Sequence, residues 1–229
     1  MKQKHNRKRR GLLWISIGLL LIAAAIFLAS YNLYDEQRAA KTAGEALDRL
    51  EEAMPVEASA KPAPDAPAVA EANPTLLPRD EQIELPDYIL FPHMEMPVES
   101  IDGNDFIGVL QIPALDLELP VISEWSYPNL RIAPCRFSGS AYLDDMVICG
   151  HNYSAHFGKL KKLRESDVAI FTDVDGNVFS YKLVVQEILQ PTDIEEMEHG
   201  DWGLTLFTCT AGGKCRIAFR FVREEDRFH

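Results

Sequence analysis

Closely spaced cysteines are absent from this chain of 229 residues, which holds only four cysteines in total. Structural zinc sites usually draw on pairs with the spacing Cys-x2–4-Cys, and no pair here has that spacing. The sequence therefore argues against the commonest kind of structural zinc site.

Charge is absent from residues 11–30, and acidic residues are absent from the ten positions before them. Twenty apolar residues at about 1.5 Å each span about 30 Å, the thickness of the hydrocarbon core of a bilayer. The first ten residues hold six Lys or Arg side chains, and such basic flanks stay on the cytoplasmic side. We therefore predict a cytoplasmic tail over 1–10, a membrane helix over 11–30 and export of the remainder. A cleaved signal peptide begins in the same way but has a shorter apolar region, so an uncleaved anchor is favoured.

Positive charge is scarce beyond the leader. Six of the 23 basic residues lie in the first ten positions, so the remainder carries 17 basic against 35 acidic side chains, a formal charge of −18. A nucleic-acid-binding protein needs basic side chains to neutralise phosphates. This acidic balance argues against nucleic acid as a partner.

Two further segments are predicted between the membrane helix and a domain over 87–229. Over 31–54, apolar residues recur three and four positions apart among charged ones, which indicates a juxtamembrane helix. This helix either packs on the domain or simply continues the membrane helix outward, and we favour the second. Over 55–86, seven prolines and seven alanines fall within 32 residues, a composition that buries too little apolar surface to fold. As an extended spacer, this linker reaches up to about 100 Å and would hold the domain away from the membrane.

Short strands dominate the pattern beyond residue 86. Runs rich in branched and aromatic residues alternate with turn residues and leave little room for helix. The predicted strands are 107–112, 115–122, 146–149, 168–172, 178–185, 204–209 and 216–222. The turn at 173–177 resembles the start of a calcium loop but lacks Glu at the twelfth position, so we interpret it as a hairpin turn. The sequence thus predicts a mostly-β domain built as a small barrel.

A thiol, an imidazole and a guanidinium fall near the ends of three of these strands. Cys209 ends one strand, Arg216 opens the next, and His151 follows the strand 146–149. A thiol attacks a carbonyl only as the thiolate, which needs a base or a positive charge nearby, and a guanidinium can stabilise the resulting oxyanion. Strand alternation directs Arg216 away from the aromatic core face, and the short connection 210–215 predicts a hairpin that sets Cys209 opposite Arg216.

The order of these motifs resembles the sortases, which are cell-surface cysteine transpeptidases. The segment 204–210 reads Leu-Thr-Leu-Phe-Thr-Cys-Thr, Arg216 follows seven residues after Cys209, and Gly-His-Asn stands upstream at 150–152. The resemblance covers the chain from residue 104 onward and implies an eight-stranded barrel. The motifs are nearest to class B, but only about 14 positions separate Gln190 from Leu204. That is too short for the helical insertion of class B, which indicates a class D-like or other subclass.

The resemblance also implies the chemistry and the partners. Cys209 would be the nucleophile, His151 the acid and base, and Arg216 the oxyanion group, with no cofactor and no metal. Asn152 and Thr208 are weaker candidates for substrate binding, and Asn152 is equally an ordinary turn residue. The implied partners are surface proteins with a C-terminal sorting signal and an amine of the peptidoglycan cross-bridge or of a pilin. The implied location is a Gram-positive cell membrane, with the catalytic domain outside.

The sequence leaves open which histidine is the base and whether Cys209 is a free thiol. His156 competes with His151 as the base, although a histidine beside Phe157 more often packs or lies on the surface. A disulfide between Cys209 and Cys215 would block the nucleophile.

Two other classes of protein also use these residue types. One is a non-enzymatic surface module with zinc held by Cys149, His151, Cys209 and Cys215. The other is an L,D-transpeptidase, but there Arg lies two residues after Cys and a Ser-His-Gly-Cys run precedes it, and this chain has neither feature. Cys135 and Cys149 are predicted to be small buried apolar residues.

Overall fold

A computed structural model describes residues 2–55, 85–210 and 212–224. The helices are α1 (Lys2–Ala53), α2 (Asp87–Leu90), α3 (Tyr127–Leu130) and α4 (Ile194–Glu198), and 3-10 turns cover Pro113–Leu115 and Phe157–Lys162. The strands are β1 (Glu99–Ile101), β2 (Asn104–Ile112), β3 (Leu117–Ile122), β4 (Cys135–Ser138), β5 (Met146–Cys149), β6 (Val168–Asp173), β7 (Val178–Leu189), β8 (Leu204–Cys209) and β9 (Arg216–Arg223). Most of the predicted linker at 55–86 lies outside the described residues.

Eight of the nine strands close into a barrel. The strand order is β1-β2-β3-β4-β5-β8-β9-β7-β6, and a second pairing of β2 with β6 closes the ring. β1 pairs only with β2 and lies outside the ring. The pairs β3–β4 and β5–β8 are parallel and the others are antiparallel. The predicted mostly-β, eight-stranded barrel is confirmed.

The barrel interior holds the larger core, and strand alternation decides which side chains reach it. On β8, Leu204 and Leu206 point inward, and on the neighbouring β9, Phe219 and Phe221 do the same. All four are fully buried. The predicted inward face of β9 is therefore confirmed, and Arg216 lies on the outward face.

The second half of α1 packs against the outside of the barrel. A stripe of five residues at helical spacing is buried there: Ala39, Ala43, Ala46, Leu50 and Met54. Small alanine side chains let the helix approach β1, β2 and β3 closely, and the fully buried Leu50 contributes about 2 kcal/mol through apolar burial. The apolar stripe was predicted, but the favoured interpretation that this helix only continues outward is wrong, because it docks on the domain.

This docking changes the expected place of the domain relative to a membrane. Met54 is buried against the barrel, and Tyr88, Met94 and Met96 on the far side of the linker also contact the core. The linker therefore joins two points on the same barrel. The stalk hypothesis is corrected accordingly, since α1, and not the linker, sets the distance between the barrel and the apolar segment.

The first half of α1 has the character of a membrane-crossing segment. Within the described residues, α1 is the one helix long and apolar enough to cross a membrane, judged by length and composition. Its large apolar side chains are exposed on all sides: Trp14, Leu20 and Phe27 are each 70% exposed or more. Such a surface needs an apolar environment.

The hairpin interpretation of the β6–β7 connection is also confirmed. One carboxylate oxygen of Asp173 accepts hydrogen bonds from the backbone amides of Asp175 (3.0 Å) and Asn177 (2.8 Å). The other oxygen accepts from the Tyr142 hydroxyl at 2.7 Å and from the Asn177 side chain at 2.9 Å. The carboxylate is thus engaged in closing the turn.

Candidate active site

The β8–β9 hairpin brings Cys209 and Arg216 together. These two residues are Cα partners at the end of the antiparallel ladder. The connection is closed by a hydrogen bond from the Thr210 amide to the Cys215 carbonyl (2.9 Å) and by one from the Gly213 amide to the Thr210 carbonyl (2.8 Å). Gly212 and Gly213 both have positive φ, 90° and 72°, which only glycine adopts at little cost.

Cys209 and Arg216 both point outward from the barrel. On β8 the side chains alternate, so that Leu206 and Thr208 face the interior while Phe207 and Cys209 face outward. Arg216 is half-buried, and its Nη1 donates to the neighbouring Cys215 carbonyl at 3.4 Å. Within the part of the chain that the structure describes, Arg216 forms no salt bridge, so its charge is available to an anion at Cys209.

The parallel pair β5–β8 places His151 at the same level as Cys209. Cys149 on β5 is the partner of Phe207 on β8, and the Gly150 amide donates to the Phe207 carbonyl at 3.1 Å. His151 comes two residues after Cys149, and Cys209 comes two residues after Phe207. Continuing the register past the end of β5 sets the backbone of His151 level with that of Cys209, and Arg216 pairs with Cys209 from the other side. Cys209 and Arg216 thus lie side by side on β8 and β9, and His151 follows the end of the adjacent strand β5.

Gly150 is required by close packing and not by an unusual backbone conformation. Its φ is not positive, and a Cβ at this position would lie 2.6 Å from the ring of Phe157. Glycine is needed because the fully buried Phe157 packs directly on the backbone here. The Phe157 amide in turn donates to the His151 carbonyl at 3.0 Å, which folds the loop back under the imidazole.

The His151 imidazole sits in a half-buried position against an aromatic ring. It stacks on Tyr153, with ring centroids 4.8 Å apart and planes 29° apart. Burial lowers the pKa of His151, the Arg131 charge lowers it further, and Asp35 opposes this. A lowered pKa favours the neutral imidazole near pH 7, the form that can accept a proton from a thiol.

His156 lies beneath this loop and is fully buried. Its two ring nitrogens make no hydrogen bond of good geometry. Burial is the main cause that lowers the pKa of His156 to about 4, the nearby His151 adds to the effect, and the Ala39 carbonyl opposes it. His156 is thus a packing residue with no access to solvent, and the geometry favours His151 as the base.

The buried His156 should make the fold acid-sensitive. An unfolded histidine has a pKa near 6.5, so between that value and about 4 the unfolded state binds a proton that the native state rejects. Stability is therefore full above about pH 6.5 and falls as the pH is lowered, by up to about 1.4 kcal/mol per pH unit from this group. Urea unfolding at several pH values should show a flatter dependence for His156→Gln. The exposed-site control His199→Gln should keep the wild-type slope, and an unchanged slope in His156→Gln would contradict the assignment.

The two weaker candidates for substrate binding, Asn152 and Thr208, lie in different surroundings. Asn152 is exposed and lies in the turn after His151, where a side chain can reach a ligand. Thr208 faces the barrel interior, is only 5% exposed, and its hydroxyl is buried without a hydrogen-bond partner. Because inward and outward side chains alternate on β8, Thr208 points away from Cys209. The prediction that Thr208 is a substrate-binding residue is therefore corrected, because its side chain does not reach the outer surface.

An aromatic row runs along the outer surface beside Cys209. Phe207 meets Phe137 of β4 edge to face, with centroids 5.3 Å apart, and Phe137 lies 5.6 Å from Trp125. Trp125 in turn lies 5.7 Å from Tyr127, which is 76% exposed. A pocket of about 490 Å³ opens beside this row, and its lining is Ser123, Glu124, Trp125, Arg136, Phe137, Ser138 and Gly139. The row supplies apolar surface next to the thiol.

The short connection between β7 and β8 is fastened to the barrel by Arg220, which is 1% exposed. Its guanidinium binds the Glu187 carboxylate, the Thr205 hydroxyl (3.0 Å) and the backbone carbonyls of Glu196 and Met197 (2.8 Å to Met197). Met197 of α4 is buried on the outer surface with Val147 and Ala218, in a cluster that includes Phe207. Arg220 thereby fixes α4 at the edge of the aromatic row. Sequence reasoning missed this residue, because nothing in a strand pattern distinguishes it from a solvent-exposed arginine.

None of the four cysteines forms a disulfide, and they do not come together as the ligands of one metal ion. Cys135 and Cys149 are buried as predicted, and Cys209 and Cys215 are unbonded thiols. Burial raises the pKa of Cys149 to about 12, and its thiol donates to the Cys135 carbonyl at 3.4 Å. Within residues 2–55, 85–210 and 212–224, no three His, Cys, Asp or Glu side chains converge in a way that could hold a metal ion. The geometry gives the zinc hypothesis no support.

Comparison with known proteins points to one family. The sortase domain model matches residues 110–222, from within β2 to within β9. Sortase A of Bacillus anthracis is 27% identical over 123 residues, which cover 51% of this chain and 58% of that protein. The match therefore spans a little over half of the length of this curated relative.

Two solved structures are also similar in part. Sortase C of Streptococcus pneumoniae is 26% identical, with a TM-score of 0.46 over 52% of this chain and 69% of that one. The Sortase D5 transpeptidase of Clostridium perfringens is 21% identical, with a TM-score of 0.48 over 56% and 83%. The subclass, with motifs nearest to class B, stays a prediction.

The family model and the geometry agree on the same region. The matched stretch holds the closed part of the barrel and contains His151, Cys209 and Arg216. Cys209 and Arg216 are predicted from the sequence to face each other across neighbouring strands, and they are Cα partners on β8 and β9. The domain spanned by residues 110–222 belongs to the sortase family.

Proposed function

We propose that this protein is a membrane-anchored cysteine transpeptidase that cleaves a C-terminal sorting signal after Thr and transfers the acyl group to an amine. The single observation that carries this proposal is the pairing of Cys209 with Arg216 across β8 and β9, with His151 just beyond the end of the neighbouring strand β5. Cys209 and Arg216 have their side chains on the outer face, and the apolar row from Phe207 to Trp125 lies beside them. An extended peptide can lie along such a surface with its carbonyl at the thiol.

The proposed first half-reaction forms a thioester. Neutral His151 takes the proton of the Cys209 thiol, and the thiolate attacks the carbonyl carbon of the substrate threonine. Arg216 stabilises the oxyanion of the tetrahedral intermediate. When the intermediate collapses, the C–N bond breaks and His151 gives its proton to the departing amine.

The proposed second half-reaction regenerates the thiol. An incoming amine attacks the thioester carbonyl, and His151 accepts the proton that the amine loses. The C–S bond breaks, a new amide forms, and the proton returns to Cys209. The acceptor amine belongs to a peptidoglycan cross-bridge or to a pilin lysine, and the sorting signal is of the Leu-Pro-x-Thr-Gly or Asn-Pro-x-Thr type.

The proposed topology follows from α1. The basic start stays in the cytoplasm, residues 11–30 cross the membrane, and the catalytic domain over 87–229 lies outside. Asp35, which accepts a hydrogen bond from the histidine loop, comes five residues after Ser30. At 1.5 Å per residue this is about 7.5 Å along the helix, so the site works close to the membrane surface.

The transfer reaction tests this proposal. The full chain in detergent is incubated with peptides carrying either motif and with triglycine or a lysine peptide as the amine, and the products are identified by mass. We expect the bond after Thr to be cleaved and a new amide to form between Thr and the added amine. A folded protein with reduced Cys209 that processes neither peptide would contradict the proposed substrate class.

Arg216 should be sensitive to a substitution that conserves charge. Arg216→Lys keeps the positive charge but loses the planar fork of donors, and loss of one oxyanion donor typically costs about 100-fold or more in kcat. We expect a loss of at least about 100-fold in steady-state turnover. Arg164→Lys, at an exposed position in a loop away from β8 and β9, is the matched control. Full activity of Arg216→Lys would leave Arg216 with a structural role only.

A further inference from the structure

The loop that carries His151 is held by the membrane-proximal part of α1. The Tyr153 hydroxyl donates to the Asp35 carboxylate at 2.6 Å, and the Ser154 amide donates to the Glu36 carboxylate at 2.7 Å. Both contacts join residues 118 positions apart in the chain. Two consecutive acids of the helix thus bind two consecutive residues of the loop.

Tyr153 transmits this contact to the imidazole. Its ring stacks on His151 with centroids 4.8 Å apart, so a fixed tyrosine limits rotation of the histidine ring. Its backbone carbonyl accepts from the amides of His156 (3.0 Å) and Gly158 (2.8 Å), which makes Tyr153 the centre of the loop. Burial and the hydrogen bond to Asp35 raise the pKa of Tyr153 to about 12, so the hydroxyl stays a donor at any working pH.

The charges that face His151 come from three elements. Asp35 on α1 favours the imidazolium, Arg131 after α3 disfavours it, and His156 in the same loop lies close enough to interact with it. Asp35 is the acid that raises the pKa of the imidazole. The same carboxylate therefore both fixes the tyrosine against the imidazole and balances the nearby arginine.

We infer that Asp35 is a positioning residue for His151, acting through Tyr153, and that the anchoring helix is thereby part of the catalytic apparatus. This rests on the proposed function, in which His151 carries the proton. Neither residue touches the reacting atoms. Their effect should appear in kcat, through the orientation and proton affinity of the imidazole, and not in substrate binding.

The test uses the full chain in detergent, with Asp35→Asn, Tyr153→Phe and the double variant. Loss of a hydrogen bond to a charged group corresponds to roughly 10- to 100-fold in rate. We expect kcat to fall by about that factor with KM changed little. The double variant should be no worse than either single one, since the two residues act as a unit. Asp35→Glu should restore part of the rate, and Glu45→Gln, an exposed acid further along α1, should behave as wild type.

A second readout separates this inference from the proposed function. The titration of His151 is followed by NMR of histidine-labelled protein, with the signal assigned by its loss in His151→Gln. Removing the Asp35 charge should move the titration to lower pH, and Glu45→Gln should not move it. This shift is expected whether or not the correct substrate is in hand. An active enzyme whose Asp35→Asn and Tyr153→Phe variants keep the wild-type kcat, with the His151 titration unmoved, would overturn the inference.

Discussion

Cys209→Ala should reduce transpeptidation to the uncatalysed background while leaving the barrel folded. The thiol is the one proposed nucleophile, and no acyl-enzyme can form without it. Cys209 lies half-buried at the outer end of β8, so truncating its side chain leaves no cavity in the core. We expect the thermal unfolding midpoint to stay within a few degrees of wild type, measured alongside the transfer assay.

Cys215→Ala is the matched control for this substitution. It lies in the same hairpin, one position before Arg216, and is likewise a free, half-buried thiol. Because it directly precedes Arg216, its side chain is expected to face away from Arg216 and Cys209, and its loss should leave turnover unchanged. Substantial turnover by Cys209→Ala would refute the assignment of the nucleophile.

His151→Gln should lose turnover to nearly the same extent. Glutamine fills much of the space of the imidazole but cannot accept the thiol proton or return it to the leaving amine. Residues that act as one catalytic unit lose most of the rate when any one is removed. The measurement is again peptide cleavage and transfer, with alkylation of Cys209 at high pH to show that the thiol is still accessible.

Two other histidines control for the His151 result. His199→Gln changes an exposed side chain near α4, and it should have no effect. His156→Gln changes the buried histidine of the same loop, and it should alter stability more than turnover. If His151→Gln kept wild-type activity while His156→Gln lost it, the base would be His156 and the interpretation of its burial would be wrong.

Strand periodicity allowed the outward placement of Arg216, opposite Cys209, to be predicted from the sequence. Side chains on a strand alternate between two faces, so the aromatic residues Phe219 and Phe221 locate the core and leave Arg216 outside. The shortness of the connection 210–215 then fixes the register that pairs Cys209 with Arg216. These are local rules, and they hold because one face of each strand must be buried.

Contacts between distant segments could not be predicted in the same way. The hydrogen bond from Tyr153 to Asp35 joins a loop residue to a helix residue 118 positions away, and the sequence around neither residue gives a sign of the other. The docking of α1 depends on a narrow stripe dominated by alanine, which looks too weakly apolar for a core face until the helix approaches the barrel closely. Because the sequence gives no sign that α1 docks on the barrel, it also predicts that the linker separates the domain from the membrane as a stalk.

Short and irregular elements were the other source of error. β4 has only four residues, including Arg136 and Ser138, and shows no alternation that would mark it as a strand. At Gly150, the close packing of Phe157 on the backbone is what requires glycine. In each case the deciding interaction is a tertiary contact that no local pattern records.

The most direct test of the central claim is to trap the acyl-enzyme. The full chain is mixed with a sorting-signal peptide in the absence of an added amine, and the intact mass is measured, followed by mapping of the modified residue. We predict an adduct equal to the peptide up to and including Thr, located on Cys209, released by hydroxylamine and absent from Cys209→Ala. An adduct on another residue, or turnover of the peptide with Cys209 never acylated, would contradict the proposed mechanism.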